Sequence, residues 1–303
     1  MTLDVPPLVR QRALSEGEQG AQWLADLPSI VSDVARRWNL DIGATLHGGT
    51  ASFVAEAGPD CVVKIGMPFE AAAVSDFSRS VLVHQLAGGV GCARLLDHDP
   101  SVPAMLLERL GPNLDALGCS VPEILSTVAQ TLRTFWRPVP DDVDLPTGAD
   151  GASWLADHIT TSWGALDEPC PRAVIDRAVE YCGLRADAFD RSRAVLVHGD
   201  AHGWNTLDAG GGVFKFVDPE GLISEPAHDL SVPMREYNEP LLEGDTVRLV
   251  RARAELLASL CEVDPEPVWQ WGFIERVSTG LVGLRHFDGD VGRVFLEVAS
   301  RCA

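Results

Sequence analysis

In VLVHGDAHGWNTL, residues 195–207, a short β-branched run breaks off into His198, Gly199 and Asp200, and Asn205 lies five residues past that aspartate. A second apolar run, VFKFVD, ends on Asp218. Phosphoryl transfer from ATP needs one carboxylate to orient and deprotonate the accepting hydroxyl, and two oxygen ligands to hold Mg²⁺ against the phosphates. Asp200 can supply the first, Asn205 and Asp218 the others. The competing reading is an Asp and an Asn that cap a tight turn. His198 and His202 also form an H-x-x-x-H spacing that zinc could use, but no third ligand stands nearby in the sequence.

Lys64, in CVVKIG, is one of only two lysines in the chain and sits inside an apolar run, where a charge is costly unless paired or put to use. Upstream, His47, Gly48, Gly49, Thr50 and Ser52 form a glycine-bearing turn between two β-prone pieces, either an ordinary hairpin or a loop whose N–H groups cover phosphates.

The H-G-D-x-x-x-x-N pattern with a following Asp resembles the catalytic motif of the aminoglycoside phosphotransferase family. W-L-A-D-L-P at 23–28, K-x-x-M-P-x-E at 64–70, R-L-L-D-H-D at 94–99, M-L-L-E-R-L at 105–110 and D-P-E-G at 218–221 are similar to its aminoglycoside/hydroxyurea kinase branch, which contains the streptomycin 6-kinases. The likeness covers most of residues 20–235. It implies Asp200 as catalytic base, Asn205 and Asp218 as Mg²⁺ ligands, and His198 and Asp229 as structural support. It also implies Lys64 on the nontransferred phosphates of ATP, with Gly48, Gly49, Thr50 and Ser52 around the phosphates. Glu108 falls where the family's backbone hydrogen-bonds adenine. Glu70 is the nearest candidate to hold Lys64, since the helix that follows offers Asp76 and Arg79 but no central glutamate.

These residues need two kinds of scaffold. Apolar residues at helical spacing from 15 to 40 predict two helices that break at Pro28. Short β-prone pieces from 42 to 66 predict three antiparallel strands, a helix follows over 70–87, and ARLLDHD and PAMLLERLG complete a five-stranded sheet. Beyond Gly111 the 3.6-residue period predicts helices over 121–136, 151–166 and 171–183; residues 195–207 and 213–221 then form one short β pair, and helices resume from about 227. The expected fold is α+β and protein-kinase-like: a small N-terminal nucleotide-binding lobe, residues 1–108, with a helical preface, and a larger, mainly helical C-terminal lobe, residues 109–303, for catalysis and acceptor binding.

Composition narrows the partners. The 303 residues carry 24 Lys+Arg against 44 Asp+Glu, a formal charge of -20 that repels nucleic acid and anionic membranes and draws cations toward an acidic cleft. Seven cysteines without a C-x-x-C pair suggest reduced thiols, not a disulfide framework or a zinc site. The first twenty residues lack a signal-peptide pattern and no stretch is long and apolar enough to span a bilayer, so a cytoplasmic location is expected. The combined expectation is an ATP- and Mg²⁺-dependent kinase of a small cationic or polar acceptor, an aminoglycoside such as streptomycin first. A kinase of a sugar, an amino sugar or hydroxyurea is the alternative, and a non-catalytic nucleotide-binding pseudokinase a weaker one. Glu220, Glu275 and residues 235–239 are further candidates near the metal and the acceptor.

Overall fold

A computed structural model describes residues 3–49, 52–67, 71–286 and 289–303, without the side chains of 71–76, 286, 289 and 290. The chain divides into two compact units, one of Met1–Pro112 with Leu207–Glu220, the other of Asn113–Thr206 with Gly221–Ala303.

The first unit opens with helices α1 (Pro7–Ser15) and α2 (Gly17–Trp38). The predicted break at Pro28 does not occur: α2 runs through the proline, and the chain turns instead at Gly17, with φ +67°. An interior proline forfeits one helical hydrogen bond and costs roughly 3 kcal/mol. Leu27 and Val31 are fully buried on either side of it, and burying two such side chains contributes about 3–6 kcal/mol. Burial therefore outweighs local propensity.

Strands β1 (Ile42–Leu46), β2 (Ser52–Ala57), β3 (Cys61–Gly66), β4 (Leu95–Asp99) and β5 (Ala104–Glu108) form the five-stranded sheet in the order β1-β2-β3-β5-β4, with antiparallel pairing throughout. Helix α3 (Ala71–Ala87) connects β3 to β4. The two faces follow the period-2 pattern of a strand. Val63 and Ile65 pack with Phe53, Ala55, Ala104 and the α2 stripe Trp23, Leu27, Val31 and Val34. Val62 packs on the opposite face with Met105, Leu107 and Val81 of α3. Lys64 shares the parity of Val62 and sits in the central strand between Val54 and Met105.

In the second unit, α4 (Val121–Phe135), α5 (Gly148–Ala165) and α6 (Arg172–Asp187) precede strand β6 (Val195–Val197). Capping boxes at Ser120/Glu123 and Thr147/Asp150 start α4 and α5. The single β pair expected over 195–221 is in fact two. Strand β7 (Thr206–Asp208) pairs with β8 (Phe214–Phe216), whereas β6 pairs antiparallel with β9 (Leu222–Ser224). Gly199, at φ +87°, and a 3₁₀ turn at Gly203–Asn205 end the first strand and prevent a continuous ladder. Helices α7 (Pro226–Asp229), α8 (Ser231–Arg235), α9 (Glu239–Leu242), α10 (Thr246–Cys261), α11 (Pro265–His286) and α12 (Gly289–Cys302) complete the chain. Helix α11 buries Trp269, Trp271, Phe273, Ile274 and Val277, so its aromatics are core, as their spacing suggests. Among the described residues no helix is long and apolar enough to cross a membrane.

Candidate active site

The residues singled out by sequence fall into two groups, one on each unit. In the first unit the Lys64 ammonium pairs with the Asp218 carboxylate. The lysine side chain is 13% exposed and the aspartate 41%, so a largely buried cation is balanced by an acid open to a ligand. Asp218 has φ +58°, a left-handed conformation that Asp tolerates better than most residues. The β7–β8 hairpin brings it there: Phe216 exchanges backbone hydrogen bonds with Gly91 (3.0 Å) and Ala93 (2.8 Å), and Asp208 with Pro112 (3.0 Å) and Gly111 (2.7 Å).

Glu108 ends β5. Its carboxylate accepts the Arg94 backbone N–H at 2.7 Å and pairs with Lys215 of β8, so its side chain is committed to holding the hairpin. Gly48 has φ +138°, and a side chain added at Gly48 or Gly49 would meet nothing within 4 Å, so that turn borders open space. Ser52 lies at the start of β2 opposite Gly66 and is only 5% exposed. Thr50 and Glu70 lie outside the described residues, and so does any partner that Glu70 would give Lys64. Sequence reasoning passed over His84, buried in α3 with Nδ1 2.8 Å from the Ala93 carbonyl. Burial, aided by the nearby Lys64 charge, pushes its pKa down to about 4, and the ring is neutral.

In the second unit the H-G-D-x-x-x-x-N loop is anchored from behind. Asp229, fully buried, accepts the backbone N–H groups of His198 and Gly199, each at 2.8 Å, and the indole N–H of Trp136 at 2.8 Å. Burial raises its pKa to about 6 despite those three donors. His198, also fully buried, accepts the Asp200 N–H at Nδ1 (3.2 Å), which places the ring hydrogen on Nε2.

Asp200 then stands with both carboxylate oxygens engaged. Arg235 Nη2 donates to Oδ1 at 3.1 Å; His202 Nε2 lies 3.2 Å and Asn205 Nδ2 3.1 Å from Oδ2. Burial alone would raise this carboxyl, but the His202 hydrogen bond and the charges of His202 and Arg235 outweigh it and hold the pKa at about 2. His202 moves the opposite way: burial works against its charged form, yet Asp200 and Glu236 raise its pKa. Neither histidine gathers a zinc set, and among the described residues no group of three or more His, Cys, Asp or Glu could hold a metal.

Asn205 Nδ2 also donates to the Asp200 carbonyl at 3.0 Å, which leaves Oδ1 as the amide atom available to a cation. Asn205 Oδ1 in this unit, and the Asp218 carboxylate in the other, are each hard oxygen donors of a kind that suits Mg²⁺ and not a thiophilic metal. Glu275, a sequence candidate for the acceptor, is taken up by Arg235 Nη1 at 2.8 Å, and Glu236 lies 3.4 Å from Arg235 Nε. Sequence reasoning noted Arg235 only within a charged run, without its link to Asp200.

A five-stranded antiparallel sheet with a strand-three lysine, followed by a helical unit with an H-G-D-x-x-x-x-N loop, defines a small-molecule kinase of protein-kinase-like fold. Residues 37–286 match the family described as Aminoglycoside/hydroxyurea antibiotic resistance kinase, and the chain belongs to that family. It is 28% identical over 278 residues to the streptomycin 6-kinase of Streptomyces glaucescens, spanning 89% of this chain and 88% of that one. The streptomycin 6-kinase of Streptomyces griseus is 28% identical over 263 residues, 85% and 83% of the two chains. Among solved structures, the choline kinase LicA of Streptococcus pneumoniae superposes with a TM-score of 0.60 at 14% identity, covering 91% of this chain and 98% of that one. A thermostable mutant of aminoglycoside phosphotransferase APH(4)-Ia, in a ternary complex with ADP and hygromycin B, gives 0.58 at 15% identity, covering 90% and 98%.

Proposed function

We propose that the chain transfers the γ-phosphoryl group of ATP to a hydroxyl of an aminoglycoside, streptomycin first among them, in the cytoplasm. The observation that carries the reading is the Asp200 carboxylate, held at both oxygens in a loop that also presents Asn205. Its first task is to orient the acceptor hydroxyl. The O–P bond forms from that hydroxyl to the γ-phosphorus, the bond to the β–γ bridging oxygen breaks, ADP leaves with the electron pair, and the hydroxyl proton passes to Asp200. Lys64 is the cation for the nontransferred phosphates, and Asn205 and Asp218 would each offer an oxygen to Mg²⁺, which when bound neutralises phosphate charge. His198 and Asp229 hold the loop.

The relatives' names support the acceptor, and so does the formal charge of -20, which favours a cationic molecule. The test is incubation of the purified chain with ATP, Mg²⁺ and a panel of streptomycin, hygromycin B, hydroxyurea and choline, with products read by mass spectrometry. One added phosphate on streptomycin is expected. Phosphate on another member of the panel alone would overturn the acceptor assignment.

A further inference from the structure

Arg235 sits at the end of a short helix whose following turn is held unusually firmly. The buried Arg276 donates to the Met234 carbonyl and, at 3.0 Å, to Asn238 Oδ1; the buried Arg253 donates to the carbonyls of Glu236 and, at 3.1 Å, Tyr237. Asn238 Nδ2 returns a bond to the Arg235 carbonyl at 2.7 Å. Two arginines and an amide thus fix the backbone on both sides of Arg235, and Tyr237 is held at φ +53° within the same turn. The side chain is fixed as well. It is 15% exposed, and its guanidinium reaches Glu275 of α11 (2.8 Å, that side chain 17% exposed) through Nη1 and Asp200 Oδ1 (3.1 Å) through Nη2.

We propose that Arg235 is the positioning residue for the Asp200 carboxylate, with Glu275 aiming it; the inference rests on the reading of Asp200 as the catalytic base. Asn205 and His202 both reach Oδ2, so on their own they leave the carboxylate free to swing about that atom. The bond from Arg235 to Oδ1 fixes the second oxygen, and hence the plane in which the remaining lone pairs meet a hydroxyl. A planar guanidinium can hold two carboxylates at once in fixed directions, which a lysine ammonium does less well.

The experiment compares unmodified chain, Arg235→Ala, Arg235→Lys, Glu275→Gln and Asp200→Asn in steady-state phosphotransfer to streptomycin, with the thermal midpoint measured for each with and without ATP. Arg235→Ala is expected to lower kcat on the order of 10–100-fold, as a small misplacement of a catalytic group does, while KM for ATP and protection by ATP stay unchanged. Arg235→Lys should recover part of kcat, and Glu275→Gln should show a smaller loss. Guanidinium ion at non-denaturing concentration should restore part of the Arg235→Ala rate, with saturation, where methylammonium does less. Full kcat in Arg235→Ala beside an inactive Asp200→Asn would overturn this inference and leave the functional reading standing. Loss of kcat with a matching fall in thermal midpoint and ATP protection, unrelieved by guanidinium, would show a merely structural role and overturn it too. No transfer by the unmodified chain to any acceptor would overturn the functional reading and this inference together.

Discussion

Two buried histidines, one in each unit, are tuned by burial more than by neighbours. His84 in the first unit and His228 in the second both have their pKa pushed down to about 4 by burial; His228 stacks on Trp271 at 3.8 Å and shares a 3.0 Å hydrogen bond with Ser224. A histidine whose folded pKa lies below its unfolded value of 6.5 binds fewer protons when folded, so stability is full above about 6.5 and falls as pH drops from there toward 4. Each site is worth on the order of 3 kcal/mol across that window. Thermal midpoints taken from pH 7.5 to 4.5 should fall, and His228→Gln should flatten the slope; an unchanged slope in that variant would contradict the assignment. Asp200 is legible from sequence because its partners in chemistry stand within a short run. Arg235, Trp136 and His84 are less so: each meets the site through contacts that span dozens of residues or through burial, and no local pattern marks them.

At the level of elements, the sheet and the main helices follow from short β-prone apolar runs set off by glycines and from the 3.6-residue period, both of which local sequence carries. Pro28 is the clearest departure. A local rule predicts a break, but the apolar stripe on α2 continues on both sides of it and the core cluster holds the helix straight through. Pro28→Ala should restore the missing N–H and raise stability by about 1–3 kcal/mol, read as a higher denaturant midpoint with an unchanged slope. A lower midpoint would mean that the proline shapes the helix to the sheet. The β7–β8 hairpin is the other departure. Its pairing could not be told from two short apolar runs and three consecutive glycines, since the choice of β9 as the partner of β6 depends on where the chain turns after Asp218. That hairpin sets Asp218 beside Lys64, and the ion pair of Lys215 with Glu108 helps to fix it.

For the whole molecule, family membership and net charge point the same way. A formal charge of -20 should draw a cationic acceptor by long-range attraction that salt screens. KM for streptomycin is expected to rise several-fold between low and high ionic strength while KM for an uncharged acceptor stays level; parallel changes for both would remove charge from the account of acceptor choice. The central claim is that Asp200 performs phosphotransfer while the rest of the fold holds nucleotide without it. The most direct measurement is kcat for streptomycin phosphorylation in Asp200→Asn, with ATP-induced thermal stabilisation followed in the same samples. The account predicts a loss of about 10²–10⁴-fold in kcat with stabilisation by ATP retained; a variant that phosphorylates streptomycin at the rate of the unmodified chain would contradict it.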